Sequence, residues 1–171
     1  MATETKLRQL ADKGCPVYYF YSSERYLVRQ AVTAITRILT ADSDEDATVL
    51  DGAAPEIEQL IMAAGTISFF GTRRVVVLPE IDPAAYSDKD LEELNSTLSS
   101  LENAVVVLGS VFELERSKLK TGKRAQKLIA QCKALGYTEE LAKPKPFELK
   151  MMMIDRAKEQ KTTLPDGAAA A

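Results

Sequence analysis

The residues of this chain that could do chemistry fall into four groups. Asp42-Ser43-Asp44-Glu45-Asp46 clusters carboxylates, which can hold a divalent cation, and Asp51 follows soon after, so a magnesium-dependent phosphotransfer or receiver-type site can be drawn from them. The run lacks the spacing and the glycine of a calcium loop and precedes a strand rather than following one, which favours a solvated loop. Gly122-Lys123 is followed by Arg124 rather than Ser or Thr, so it reads as chance and not as a phosphate loop. Lys120, Lys123, Arg124 and Lys127 stand three or four apart and are predicted to share a helix face, read as solvated in preference to a weak contact with the DNA backbone. The fourth group is Thr66-Ile67-Ser68-Phe69-Phe70-Gly71-Thr72-Arg73-Arg74, the most informative stretch. A connection between a helix and an apolar strand should be polar, yet this one carries Ile67 and two adjacent rings. Neighbouring side chains of an extended segment point opposite ways. Either at least one phenylalanine projects outward as an interface anchor, or both cap the sheet end and pack locally.

Missing residues exclude more. The chain has 171 residues, no histidine and a net charge of -3. Histidine-based triads, bases and metal ligands are therefore ruled out, and a nucleic-acid contact would need a local basic patch. Cys15 and Cys132 have no metal-type spacing, and Cys132 falls on the apolar face of a predicted helix. This usage points to a reducing, cytoplasmic setting. The N-terminus does not read as a signal peptide, and no run reaches the roughly 18 apolar residues of a membrane span. After the first strand the chain offers Tyr21-Ser22-Ser23-Glu24-Arg25, with neither glycine nor lysine to cradle a phosphate and with Glu24 to repel one. Leu78 is followed by Pro79-Glu80-Ile81-Asp82, with proline where a metal-binding acid would stand. No cofactor, no metal and no ATP hydrolysis are expected.

The elements that must position these groups alternate strand and helix. Val17–Tyr21 reads as a first buried strand, with Ser22 or Ser23 capping a helix through Leu27, Ala31, Ile35 and Ile38. Thr48–Leu50 is a second strand. Pro55 suits the first turn of a helix striped by Ile57, Leu60, Ile61 and Ala64. Arg74–Leu78 is the third strand, stopped by Pro79. Ser87 opens a helix with Leu91, Leu94, Leu98 and Leu101 along one face, and Ala104–Leu108 is the fourth strand. Ser117 is expected to cap a basic helix with Ala125, Leu128, Ile129 and Cys132 inward, ended by Gly136. Tyr137–Leu141 is a fifth, edge strand. Continuous β-branched runs between helices predict a three-layer α/β/α fold on a mostly parallel five-stranded sheet. Lys143-Pro144-Lys145-Pro146 reads as a linker and Phe147, Met151, Ile154 and Ala157 as one more helix. The run Ala168–Ala171 reads as a helix cut off, so the chain is expected to be a piece of a longer protein.

Several of these pieces resemble, in order and spacing, the N-terminal region of the delta subunit of the bacterial DNA polymerase III clamp loader. They are Tyr18-Tyr19-Phe20-Tyr21 with Glu24 and Leu27, the Leu50-Asp51-Gly52 turn, and Ser68-Phe69-Phe70-Gly71 with Arg73-Arg74-Val75-Val76-Val77-Leu78. Val105–Leu108, the basic helix and the Leu/Met-rich helix ending in Lys158-Glu159-Gln160-Lys161 follow. The resemblance implies an AAA+ module, like a P-loop NTPase without a functional nucleotide site, over 1–142, and a linker with the truncated start of a helical lid over 143–171. It implies a non-catalytic subunit that binds the sliding clamp (the beta subunit) and helps open it for loading on primed DNA. Other loader subunits would be met through a missing C-terminal part, DNA would be met indirectly, and no membrane is involved. The family's clamp-contact motif, Gln-x-x-Ser-Leu-Phe-like, aligns with Gly65 to Phe70. Thr66, Ile67, Ser68, Phe69 and Phe70 are thereby the expected clamp-binding residues. Phe69 replaces a leucine, and Gly65 stands where the family commonly has its polar glutamine. The alternatives are the Mg²⁺-dependent receiver-type domain and a general protein-interaction domain using the Phe-Phe loop.

Overall fold

A computed structural model describes residues 3–66, 71–143 and 145–159. The chain divides after Leu141 into two compact units. The larger begins with α1 (Glu4–Asp12), continues through β1 (Val17–Ser22), α2 (Arg25–Thr40), β2 (Thr48–Val49), α3 (Ile57–Gly65), β3 (Arg74–Leu78), α4 (Asp88–Ser99) and β4 (Ala104–Val111), and passes through a short hairpin of β5 (Leu114–Glu115) and β6 (Lys118–Leu119) to α5 (Lys123–Leu135) and β7 (Tyr137–Glu140). The second unit holds α6 (Pro146–Glu159), where Phe147 and Met151 are exposed.

The main sheet runs β2-β3-β4-β1-β7 and every pairing in it is parallel. Strand residues alternate between two cores, because successive side chains leave a strand on opposite faces. Val17, Tyr19, Val76, Leu78, Val106 and Leu108 pack on one side against Leu60 of α3, Leu94 of α4 and Leu128 of α5. Tyr18, Phe20, Val75, Val77, Val105 and Val107 pack on the other against Leu7 and Leu10 of α1 and Leu27, Val28 and Ile35 of α2. The expected α/β/α layering on a five-stranded sheet is what the chain adopts. Two close approaches hold the layers in register. A Cβ on Gly136 would overlap the carbonyl of Val17, and one on Gly109 would overlap the carbonyl of Pro79.

The element boundaries depart from expectation in ways that tertiary contacts explain. α1 lies in a segment where no helix was expected. Its Leu7 and Leu10 are buried, Thr3 caps it by accepting from Lys6, and the Tyr18 hydroxyl donates to the Leu10 carbonyl at 2.8 Å. β4 runs three residues further than its apolar core, because Gly109, Ser110 and Val111 continue to pair with Phe20, Tyr21 and Ser22. Ser22 does not cap α2; its hydroxyl donates to Leu141 and accepts from the backbone of Glu24, and Glu24 is the cap residue. Leu101 lies beyond the end of α4 while packing on its core.

Candidate partner-binding surface

The connection between α3 and β3 leaves the amino-terminal edge of the sheet. Its start is fixed by α3, whose Ile57 and Leu60 are buried and whose cap residue Thr66 donates its hydroxyl to the Met62 carbonyl at 2.8 Å. Its return is fixed by three contacts. Arg73 donates from Nη1 to the Gly14 carbonyl at 2.9 Å, the Arg74 amide donates to Asn103 at 2.9 Å, and Arg74 Nε lies 3.5 Å from Glu45 Oε2. Gly71 takes φ 69°, a left-handed conformation that suits glycine. Of the expected contact residues, Thr66 is described and exposed. Ile67, Ser68, Phe69 and Phe70 lie outside the described residues. On α3, just before the loop, Ile61 and Met62 are exposed, Met62 by 73%. Sequence periodicity put Ile61 in the core stripe; it lies instead on a side of α3 that no described element buries. Among the described residues beyond its own helix, nothing crowds a side chain at Gly65.

The opposite, carboxyl-terminal edge is where ligands bind in open α/β sheets, at the point where connections leave to opposite faces. Here that point lies between β1 and β4, and the chain itself crosses it. The Ile81 amide donates to Gly109, the Ser110 hydroxyl donates to the Ile81 carbonyl and the Tyr19 hydroxyl donates to Ser110, each at 2.8 Å. Beside them Glu80 bridges Arg25 at 2.6 Å and Arg29 at 3.7 Å. A carboxylate thus sits against the two cations nearest the start of α2. Asp82, downstream of Pro79, caps the short 3-10 turn Pro83–Ala85 by accepting from Ala84.

Two other sequence groups are rearranged. The basic run is not one helix face. Leu114 pairs with Leu119 and Glu115 with Lys118 across a two-residue turn, and Lys120 extends that ladder by donating to Glu113. Arg116 and Ser117 take φ 50° and 65°, the left-handed pair that such a turn demands. Ser117 therefore caps nothing, α5 starts only after Gly122, and Lys120 stands outside it. Within α5, Arg124 donates to Asp88 at 2.8 Å and Lys127 to Glu92 at 3.4 Å. The Arg124 guanidinium holds the Asp88 carboxyl below its usual range by that hydrogen bond and by charge. Lys123 is exposed at the helix start. The acidic run forms the turn between α2 and β2, with the Glu45 amide bonded to the Ser43 hydroxyl and the Glu45 carboxylate on Arg74. Asp51 is exposed in the loop after β2. Among the described residues no three acidic or cysteine side chains come together as a metal-holding group.

The fold is a parallel α/β module with helices on both faces of the sheet. A solved structure of the Bacillus subtilis DNA clamp loader delta protein shares the fold with a TM-score of 0.62 at 23% identity, over 98% of this chain and 51% of that one. Domain III of the Thermotoga maritima replication initiation protein DnaA does so with a TM-score of 0.60 at 13% identity, over 98% and 72%. The model of the DNA polymerase III, delta subunit family matches residues 18–135. The chain belongs to that family. The DNA polymerase III subunit delta of Bacillus subtilis (strain 168) is 28% identical over 137 residues, 72% of this chain and 39% of that protein. The chain thus spans about two fifths of that relative and about half of the solved delta chain.

Proposed function

We propose that this chain is the sliding-clamp-binding part of a clamp-loader delta subunit. It engages the ring-shaped clamp through Thr66, Ile67, Ser68, Phe69 and Phe70 and helps hold the ring open for loading on primed DNA. It acts in the cytoplasm as a non-catalytic subunit of the polymerase holoenzyme. Residues 1–142 form the clamp-binding domain, and 143–171 begin the lid that leads to the parts meeting other loader subunits.

The observation that carries this reading is the anchoring of the α3–β3 connection. The described residues on either side of a segment with two adjacent phenylalanines and Ile67 are held, Thr66 by its hydroxyl on α3 and Arg73 and Arg74 on the sheet edge. Fixed ends lower the ordering cost that a binding loop must meet. The flanking Arg73 and Arg74 stand at the end of the sheet opposite the crevice crossed by Pro79–Ile81.

Replacing Phe69 and Phe70 together by alanine tests it. Loss of one central aromatic anchor typically costs about 2 kcal/mol or more, so affinity for purified sliding clamp should fall well over tenfold, at about 1.4 kcal/mol per tenfold. The melting temperature should not move. Core phenylalanines would instead cost roughly 3–5 kcal/mol each and melt the fold. Wild-type clamp binding at an unchanged melting temperature would sink the proposal.

A further inference from the structure

Next to the loop, α3 and the end of α4 leave a cleft of about 820 Å³ open to solvent. Its floor is apolar, made by Ile61 and Ala64 of α3 and by Leu101. Its rim carries Ser96 and the carboxylates of Glu93 and Glu102. Neither carboxylate has an ion-pair partner among the described residues, and no lysine or arginine among them lines the cleft. Thr66 and Gly71 also line it.

We propose that this cleft is a second docking site for the sliding clamp, taking from it an apolar side chain flanked by a lysine or arginine. The inference rests on the clamp-binding reading of the loop and extends it. Area is the first argument. Two phenylalanines bury about 150–250 Å² each, whereas a stable interface buries about 800 Å² on each partner. The loop alone is too small, so a partner seated on it must cover neighbouring surface as well. The cleft is lined by Thr66 and Gly71, which flank the loop in sequence, and is a neighbouring surface with an apolar floor, continued on α3 by the exposed Met62. Charge is the second argument. Two uncompensated carboxylates on the rim attract a cation and repel a phosphate backbone, so the occupant is a protein segment and not the DNA.

Two variants of the whole chain test this, with binding to purified sliding clamp measured by calorimetry and melting recorded on the same samples. Ser96→Trp fills the cleft from an exposed position on α4. Glu93→Lys with Glu102→Lys reverses the rim. Each should weaken clamp binding at least tenfold, and the charge reversal should also flatten or invert the dependence of affinity on salt. Should Ser96→Trp lower the melting temperature, the charge reversal decides, because both carboxylates are exposed. If the wild-type chain binds the clamp, the Phe69→Ala, Phe70→Ala variant does not, and both cleft variants bind like wild type, the cleft proposal fails while the loop reading stands. Absence of clamp binding by the wild-type chain overturns both.

Discussion

At the scale of single residues, Gly109 and Gly136 do what no other residue can. Gly109 sits where the Pro79 carbonyl crosses β4, and Gly136 where α5 hands over to β7 against Val17. The obstructing atoms are backbone, so they cannot rotate away as a flexible side chain would. Gly109→Ala should lower the denaturant midpoint by an amount equivalent to about 1–3 kcal/mol, the usual cost of overpacking; an unchanged midpoint would mean that the crossing segment is not held against β4. The tyrosines set a second residue-scale behaviour. Tyr18, Tyr19 and Tyr86 are buried, with hydroxyls bonded to the Leu10 carbonyl, Ser110 and the Pro55 carbonyl. Burial pushes Tyr18 and Tyr86 up to about 12 from the ordinary 10.0, and pushes Tyr19 up as well. A raised folded value means the folded state keeps its proton longer than the unfolded chain. The stabilisation is complete below pH 10.0 and is lost as pH climbs toward about 12. Urea midpoints should therefore hold steady up to pH 10 and drop beyond it, and a midpoint level through pH 12 would contradict the burial of these hydroxyls.

Among the elements, the hairpin and α5 decide how the cations are used. Spacing suggested four cations on one helix face, but the tight turn at Arg116-Ser117 removes Lys120 from the helix, and α4 supplies carboxylates to Arg124 and Lys127. Exposed pairs of this kind add little stability, yet they reduce the charge available to a phosphate backbone. Replacing Lys120, Lys123, Arg124 and Lys127 by alanine should leave duplex binding by the chain at the same near-background level at physiological salt. Fluorescence anisotropy that detected tight, salt-sensitive binding lost in the variant would overturn this. The exposed α3 face follows a similar logic. A period of 3.6 marks which residues share a stripe but not how wide a stripe the neighbours cover, and Ile61 lies just outside the covered part.

Among the described residues the two ends of the sheet differ. At the carboxyl ends of the strands the chain crosses its own crevice, with Glu80 held between Arg25 and Arg29. Calorimetry should detect no ATP binding by this chain, with or without Mg²⁺. Micromolar binding would mean that the Pro79–Ile81 crossing yields to the nucleotide, and it would restore an enzymatic reading. At the amino ends, Thr66 and Gly71, on either side of the α3–β3 connection, are exposed and line an open cleft. The carboxyl ends are committed to internal bonds, and the proposed clamp contact lies at the amino ends.

The strand runs, the parallel sheet and its alternation with helices were legible in the amino-acid order, because burial on both faces requires continuous apolar β-branched segments such as Val75–Leu78 and Val105–Leu108. The aromatic loop between α3 and β3 stood out for the same reason: apolar residues where a polar turn belongs. Tertiary structure alone decided the rest. α1 is short, and it is held by Leu7, Leu10 and a hydroxyl from Tyr18, none of which local propensity reveals. The hairpin displaced the start of the basic helix because a cross-strand ladder, which pairs residues through space, outweighed a helical spacing that exists only along the chain. The cleft depends on which residues two separate helices bring face to face, and no periodicity within either helix encodes that.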